Sequence, residues 1–163
     1  SLVEDEHLQT ARQIMNSAQE KGVDIHLPVD VVAADRFAPD AKTLVVASNA
    51  IPKDWMGLDI GPETIATYAA VVGRAKTLLW NGPMGVFEMD AFAAGTRDLG
   101  EAIAKATESG RLFSLVGGGD SVAAVEQFEL SDRVSYVSTG GGAMLEYLEG
   151  RVLPGIQAVL DAE

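Results

Sequence analysis

Three times between residues 76 and 143 the chain runs from a short apolar stretch through a glycine-rich loop into a helical pattern. "KTLLW" leads into "NGPMG", "RLFSLV" into "GGGDS", and "RVSYVS" into "TGGGA". Short apolar runs alternating with amphipathic helices predict parallel strands with helical crossovers, hence an α/β parallel sheet covered on both faces. In such sheets ligands bind beyond the carboxyl ends of the strands. Each glycine loop follows a strand, so all three are expected on one rim.

The flanking pattern completes the unit. Ser1 and Glu4 read as a capping box, and Leu8, Ala11, Met15 and Ala18 recur at helical spacing until Gly22 closes the helix. Val23, Ile25 and Leu27 alternate as a strand before Pro28, Val29 and Val31 alternate toward Phe37, and "TLVVAS" (43–48) reads as a buried strand. Pro62 suits the first turn of a helix through Tyr68 and Val72. Further helices are predicted with apolar faces Phe92, Thr96, Leu99, Ile103 and Ala106, then Val122, Val125 and Phe128, then Leu145 and Leu148. "LPGIQAVL" gives a last short helix, and no linker divides the 163 residues. Because a helix signal is already under way at Ser1, with no methionine before it, a piece of a longer chain is expected.

Composition narrows the chemistry. The net charge of −12 repels nucleic-acid phosphates and anionic lipid, with no basic cluster to offset it, so neither nucleic acid nor membrane is expected as a partner. The absence of cysteine removes disulfides, thiolate nucleophiles and Cys-ligated metals. His7 and His26 stand apart from each other and from the loops, and read as surface or packing residues. No apolar run approaches a membrane span and the acidic start is unlike a signal peptide, so a cytoplasmic protein is expected.

A glycine loop entering a helix offers bare backbone N–H groups and the positive end of the helix dipole to an anion. Asp120 beside "GGG" suits a hard cation such as Mg²⁺ bridging phosphates, and Ser121 can add its N–H or hydroxyl. The same residues also read as a tight strand-to-helix turn with Asp120 as the N-cap. Three such loops on one rim favour a ligand. The P-loop pattern is absent, and G-x-G-x-x-G fails because Val122 stands at its third glycine, which argues against a dinucleotide oxidoreductase. In "NGPMGVFE", Asn81 can donate and accept, Pro83 stiffens the turn, and Glu88 can accept both hydroxyls of a ribose. Val86 and Phe87 can wall a base; the alternative is a plain helix entry with a solvated Glu88.

"WMGLDIGPETI", "LLWNGPMGVFE", "LVGGGDSVAAVE", "VSTGGGAMLEYLEG" and "LPGIQAVL" occur here in the order seen in phosphoglycerate kinases, which the chain resembles from "SLVEDE" and "LPVDVVAAD" onward. The resemblance implies a Rossmann-like, doubly wound parallel sheet. Residues 1–163 would form an incomplete nucleotide-binding C-terminal domain of a two-domain kinase, without the phosphoglycerate domain and the first strands of its own domain. It implies phosphoryl transfer between 1,3-bisphosphoglycerate and ADP, giving 3-phosphoglycerate and ATP with Mg²⁺, in a monomeric parent. Carried over by motif, Gly57 and Leu58 would line the adenine pocket, Asn81, Pro83 and Val86 would contact the nucleotide, and Glu88 its ribose. Gly118, Gly119, Asp120 and Ser121 would hold the phosphates, with Asp120 on Mg²⁺. Gly140, Gly141 and Gly142 would offer N–H groups to the phosphoryl group in flight, so that Gly119, Asp120, Gly141 and Gly142 are the candidate catalytic residues. No lysine or arginine lies in the three loops, and the resemblance assigns those charges to segments outside this chain. An isolated fragment is therefore expected to be inactive; the alternative is a non-catalytic Rossmann-like binding or interaction module.

Overall fold

The computed structural model describes residues 4–161. Ser1 of the expected capping box lies outside them. A 3-10 turn at Asp5–His7 leads into α1 (Leu8–Glu20), which buries none of its residues. The alternating Val23, Ile25 and Leu27 form no strand: they find no ladder partner and remain exposed, and the segment is held instead by the Tyr68 hydroxyl donating to the His26 carbonyl at 2.9 Å.

Two three-stranded sheets follow. The first, in the order β2-β1-β3, is antiparallel and comprises β1 (Asp30–Ala34), β2 (Thr43–Ala47) and β3 (Met56–Ile60). The 35–42 connection is too short for the crossover that a parallel neighbour requires, so β2 returns antiparallel to β1. Residues 48–55 then carry the chain past β1 to β3, which pairs with the other edge of β1, also antiparallel. β2 is an edge strand with Leu44 and Val45 exposed, not the buried strand its β-branched run predicts. α2 (Pro62–Val72) begins at the expected proline.

The second sheet is the expected parallel one. β4 (Thr77–Asn81), β5 (Phe113–Gly117) and β6 (Tyr136–Val137) lie in the order β4-β5-β6. Their crossovers contain α3 (Ala94–Glu108) and α4 (Gly119–Gln127), and α5 (Gly141–Leu148) and α6 (Pro154–Leu160) end the described chain. The core forms where Trp80 and Val116 of the sheet meet Val72 of α2, Leu99 and Ile103 of α3 and Val125 of α4. The period of two then turns Leu79, Phe113 and Tyr136 to the other side, where they stay exposed. Helices therefore bury one face of this sheet in the described residues, whereas the sequence pattern predicts cover on both.

Candidate functional site

Parallel pairing of β4, β5 and β6 brings their carboxyl ends together, so the loops at 81–85, 117–120 and 139–142 share one rim. They also touch. A Cβ on Gly118 would run into Asn81 Oδ1, and a Cβ on Gly141 would stand 2.7 Å from the Gly118 nitrogen. Gly118 is the N-cap of α4 at φ +89°, a conformation that side chains with a Cβ rarely adopt. Glycine at 118 and 141 is thus what allows three backbone loops to close on one point.

The exposed carboxylate of Asp120 is decisive between its two sequence readings. The N-cap is Gly118, and Asp120 sits in the first turn of α4 with no capping bond. Among the described residues it makes no hydrogen bond or ion pair of its own, and it directly follows the glycines of the loop. A structural N-cap is excluded. The described residues hold no group of three or more His, Cys, Asp or Glu side chains able to cage a metal. A lone carboxylate next to an anion-binding loop suits Mg²⁺, which keeps several waters and takes one or two carboxylates together with phosphate oxygens.

Ser121 is placed differently from its neighbours. Its side chain is fully buried, and its Oγ accepts the Gly82 N–H at 2.6 Å. The hydroxyl therefore ties the 81–85 loop to α4. At the third loop the Gly140 N–H donates to Ser138 Oγ at 3.3 Å, while Gly141 and Gly142 open α5 with no acidic side chain in its first turn.

Beside the rim lies a cleft of about 380 Å³, lined by Gly57, Leu58, Pro83 and Val86 among others. It brings together Gly57 and Leu58 of β3, expected at the adenine, with Pro83 and Val86 of the segment after β4, expected as nucleotide contacts; Asn81, expected with them, does not line it. The Val86 N–H donates to the Leu58 carbonyl at 2.9 Å and fixes one wall against the other. Asn81 stands at the rim, and Glu88 is exposed in the turn that follows. Phe87, expected as a wall for a base, faces the core instead, packing edge-on against Phe128 at 6.3 Å between ring centres.

Sequence reasoning passed over two carboxylates. Asp30 is buried at the start of β1 and caps α2 from a distance: its oxygens accept the Thr64 N–H at 2.8 Å, the Thr64 hydroxyl at 2.6 Å and the Glu63 N–H at 3.0 Å. Burial pushes its carboxyl up, but these bonds outweigh that and hold it below its ordinary value. Asp59, only 4% exposed, accepts the Gly95 N–H at 2.7 Å and its neighbour Ile60's N–H at 2.8 Å. Here burial wins and pushes the carboxyl up to about 6. A charged residue inside an apolar strand, between Gly57 and Gly61, was the available signal.

Comparison with known proteins places the chain in a family. The family model described as "Phosphoglycerate kinase" matches residues 1–151. A phosphoglycerate kinase of Porphyromonas gingivalis is 57% identical over 159 residues, covering 98% of this chain and 38% of that protein. "Phosphoglycerate kinase 3, cytosolic" of Arabidopsis thaliana is 52% identical over 162 residues, covering 99% and 40%. Among solved structures, phosphoglycerate kinase from Coxiella burnetii superposes with a TM-score of 0.93 at 48% identity, covering 99% of this chain and 41% of that one. The chain spans about two fifths of the length of the relatives it matches. No helix among the described residues is long and apolar enough to cross a membrane.

Proposed function

The chain belongs to the phosphoglycerate kinase family, and from that premise we propose that it carries the nucleotide-holding part of the kinase. In this reading the cleft between β3 and the 83–86 segment takes the adenine, with Gly57, Leu58, Pro83 and Val86 as its walls. Asn81 contacts the nucleotide beside it, and Glu88 accepts the ribose hydroxyls. The amides of Gly118 and Gly119 meet the phosphates at the start of α4, where backbone dipoles favour an anion. The observation that carries the proposal is the convergence of the Gly118 and Gly141 loops beside an exposed, unpartnered Asp120.

Asp120 would hold Mg²⁺, which supplies charge neutralisation on the phosphates when bound. The N–H groups of Gly141 and Gly142 would face a phosphoryl group passing between 1,3-bisphosphoglycerate and ADP, where fixed donors stabilise the charge without reorganising. The three loops contain no lysine or arginine, so the cationic side chains for this transfer and for phosphoglycerate come from elsewhere in the kinase. The chain alone, at a net charge of −12, binds Mg-nucleotide weakly and does not turn over.

Calorimetry with millimolar ADP, with and without Mg²⁺, tests this. Wild type is expected to bind more tightly with the metal, and Asp120→Asn to lose most of that difference, roughly tenfold for one charge-assisted contact of about 1.4 kcal/mol. Absence of heat, or an unchanged Mg²⁺ dependence in the variant, overturns the proposal. The exposed Leu79, Phe113 and Tyr136 support a second reading, a non-catalytic interaction module; nucleotide-independent association through that face would favour it.

A further inference from the structure

Asp59 is not among the residues assigned to the nucleotide, but it lines the same cleft, and the elements that build the cleft close around its carboxylate. β3 supplies both Asp59 and Leu58; the Leu58 carbonyl accepts the Val86 N–H at 2.9 Å. Asp59 Oδ2 accepts the Gly95 N–H at the start of α3. The next residue on α3, fully buried Thr96, uses its hydroxyl oxygen to accept the N–H groups of Met84 at 3.0 Å and Gly85 at 3.3 Å. These bonds form a closed ring running from β3 to α3, from α3 to the 84–86 wall, and from that wall back to β3. The packing repeats it, because a Cβ on either Gly85 or Gly95 would collide with Asp59 Oδ1. Two glycines from separate elements are thus fitted against one buried carboxylate.

Resting on the nucleotide reading above, we propose that Asp59 is a positioning residue of the cleft. Its ionised carboxylate holds the start of α3, and through Thr96 the 84–86 wall, at the spacing a nucleotide base requires. The ionised form is the one the geometry serves. Each oxygen already accepts an N–H, and the carboxylate lies at the positive end of α3. A proton on either oxygen weakens the bond that oxygen accepts, and it cancels the charge that orders the helix start.

The N–H bonds from Gly95 and Ile60 lower the titration that burial raises to about 6. A proton therefore favours the arrangement in which Asp59 stays buried but those bonds are released, and the clasp loosens locally as pH falls through that range. The charged groups acting on it are Asp98, which raises the titration, and Arg97, which lowers it; both are on α3. The 83–86 segment has no titratable side chain, and β1 offers Val32 opposite Asp59, with Asp30 engaged by Thr64.

The experiment has two readouts on the whole chain. In the absence of nucleotide, exchange of the Val86 and Gly95 amides, corrected for intrinsic rates, is followed from pH 5 to 8. Wild type is expected to lose about tenfold protection at these amides as Asp59 protonates, and Asp59→Asn to show the low protection throughout. Asp98→Asn, an exposed change that leaves the clasp untouched, should move the wild-type transition to lower pH, and Arg97→Gln to higher pH. In the second readout, the ratio of wild-type to Asp59→Asn affinity for Mg-ADP should be about ten at pH 7.5 and approach one at pH 5; taking the ratio removes the titration of the nucleotide itself. Pocket amides that ignore both pH and the Asp98→Asn change overturn the positioning role, whether or not Asp59→Asn folds. Amides that respond as expected in a chain that binds no Mg-ADP would leave the clasp standing and overturn the nucleotide reading. Binding with a pH-independent affinity ratio would separate the clasp from nucleotide affinity and overturn the proposal.

Discussion

Replacing Gly141 by alanine tests the three-loop rim at its tightest point. The added Cβ would stand 2.7 Å from the nitrogen and 2.8 Å from the Cα of Gly118, whereas ordinary contact begins near 3.4 Å. Both opposing atoms are backbone, so no rotamer change relieves the approach, and the loops must part by about 0.7 Å. α5 buries none of its residues and reaches Gly117 through the pliable Met144, so it can move outward at little cost to the fold. The stability change is expected to stay below about 1 kcal/mol. The methyl group, however, lies over the Gly118 amide. Losing one charge-assisted bond from that amide to a phosphate is worth about 1.5–3 kcal/mol, or roughly 10- to 100-fold in affinity. Mg-ADP calorimetry beside urea unfolding measures both quantities. Gly142→Ala is the comparison, since its Cβ would meet nothing within 4 Å and its ADP affinity should stay within about threefold. Unchanged ADP affinity in Gly141→Ala would refute the convergence of these loops on a phosphate.

Asp30→Ala removes the acceptor of three hydrogen bonds at the start of α2 and should destabilise the chain by about 3 kcal/mol in urea unfolding. Because the folded-state carboxyl titrates below its ordinary 3.8, this contribution is present above that pH and disappears as pH falls through the folded value; a variant equally destabilised at pH 3 and pH 7 would contradict the assignment. Against global unfolding Asp59 has the opposite sign, because the unfolded chain loses the burial that outweighs the two N–H bonds. The folded form retains a proton up to about pH 6, so this contribution to global stability is full below 3.8 and is lost as pH rises through 6, while the local clasp, which opens without exposing Asp59, tightens over the same range. Asp59→Asn should remove that fall from the stability–pH profile, and a profile of unchanged shape would sink the reading.

What the sequence made legible follows its periodicities. The run from Thr77 to Gln127, with two parallel strands, their glycine loops and α3, was readable because the apolar spacing changes from two to nearly four at each loop. Thr96, Leu99, Ile103 and Ala106 are buried where the helical spacing put them. The antiparallel sheet was less legible, since strand direction depends on which partner the chain finds. "TLVVA" reads as a buried strand but lies on an edge, and Val23, Ile25 and Leu27 show that alternation without a partner makes no strand. In the site, spacing found Gly118 and Asp120, but the sequence left open whether Asp120 capped the helix until the backbone placed Gly118 in that role. Ser121 and Asp59 differ for a common reason. Their hydrogen-bond partners, Gly82 and Gly95, are 39 and 36 residues away, and no local pattern records a contact of that range.

The central claim is that the three-loop rim and the adjoining cleft hold one nucleotide. Amide chemical shifts followed during titration of the labelled chain with Mg-ADP test it most directly. The account predicts that Gly57, Leu58, Val86, Gly118, Gly119 and Asp120 move together along one saturable curve, while α1 and α6 stay still. Shifts confined to other surfaces, or cleft and loop amides that remain in place at saturating Mg-ADP, would contradict it.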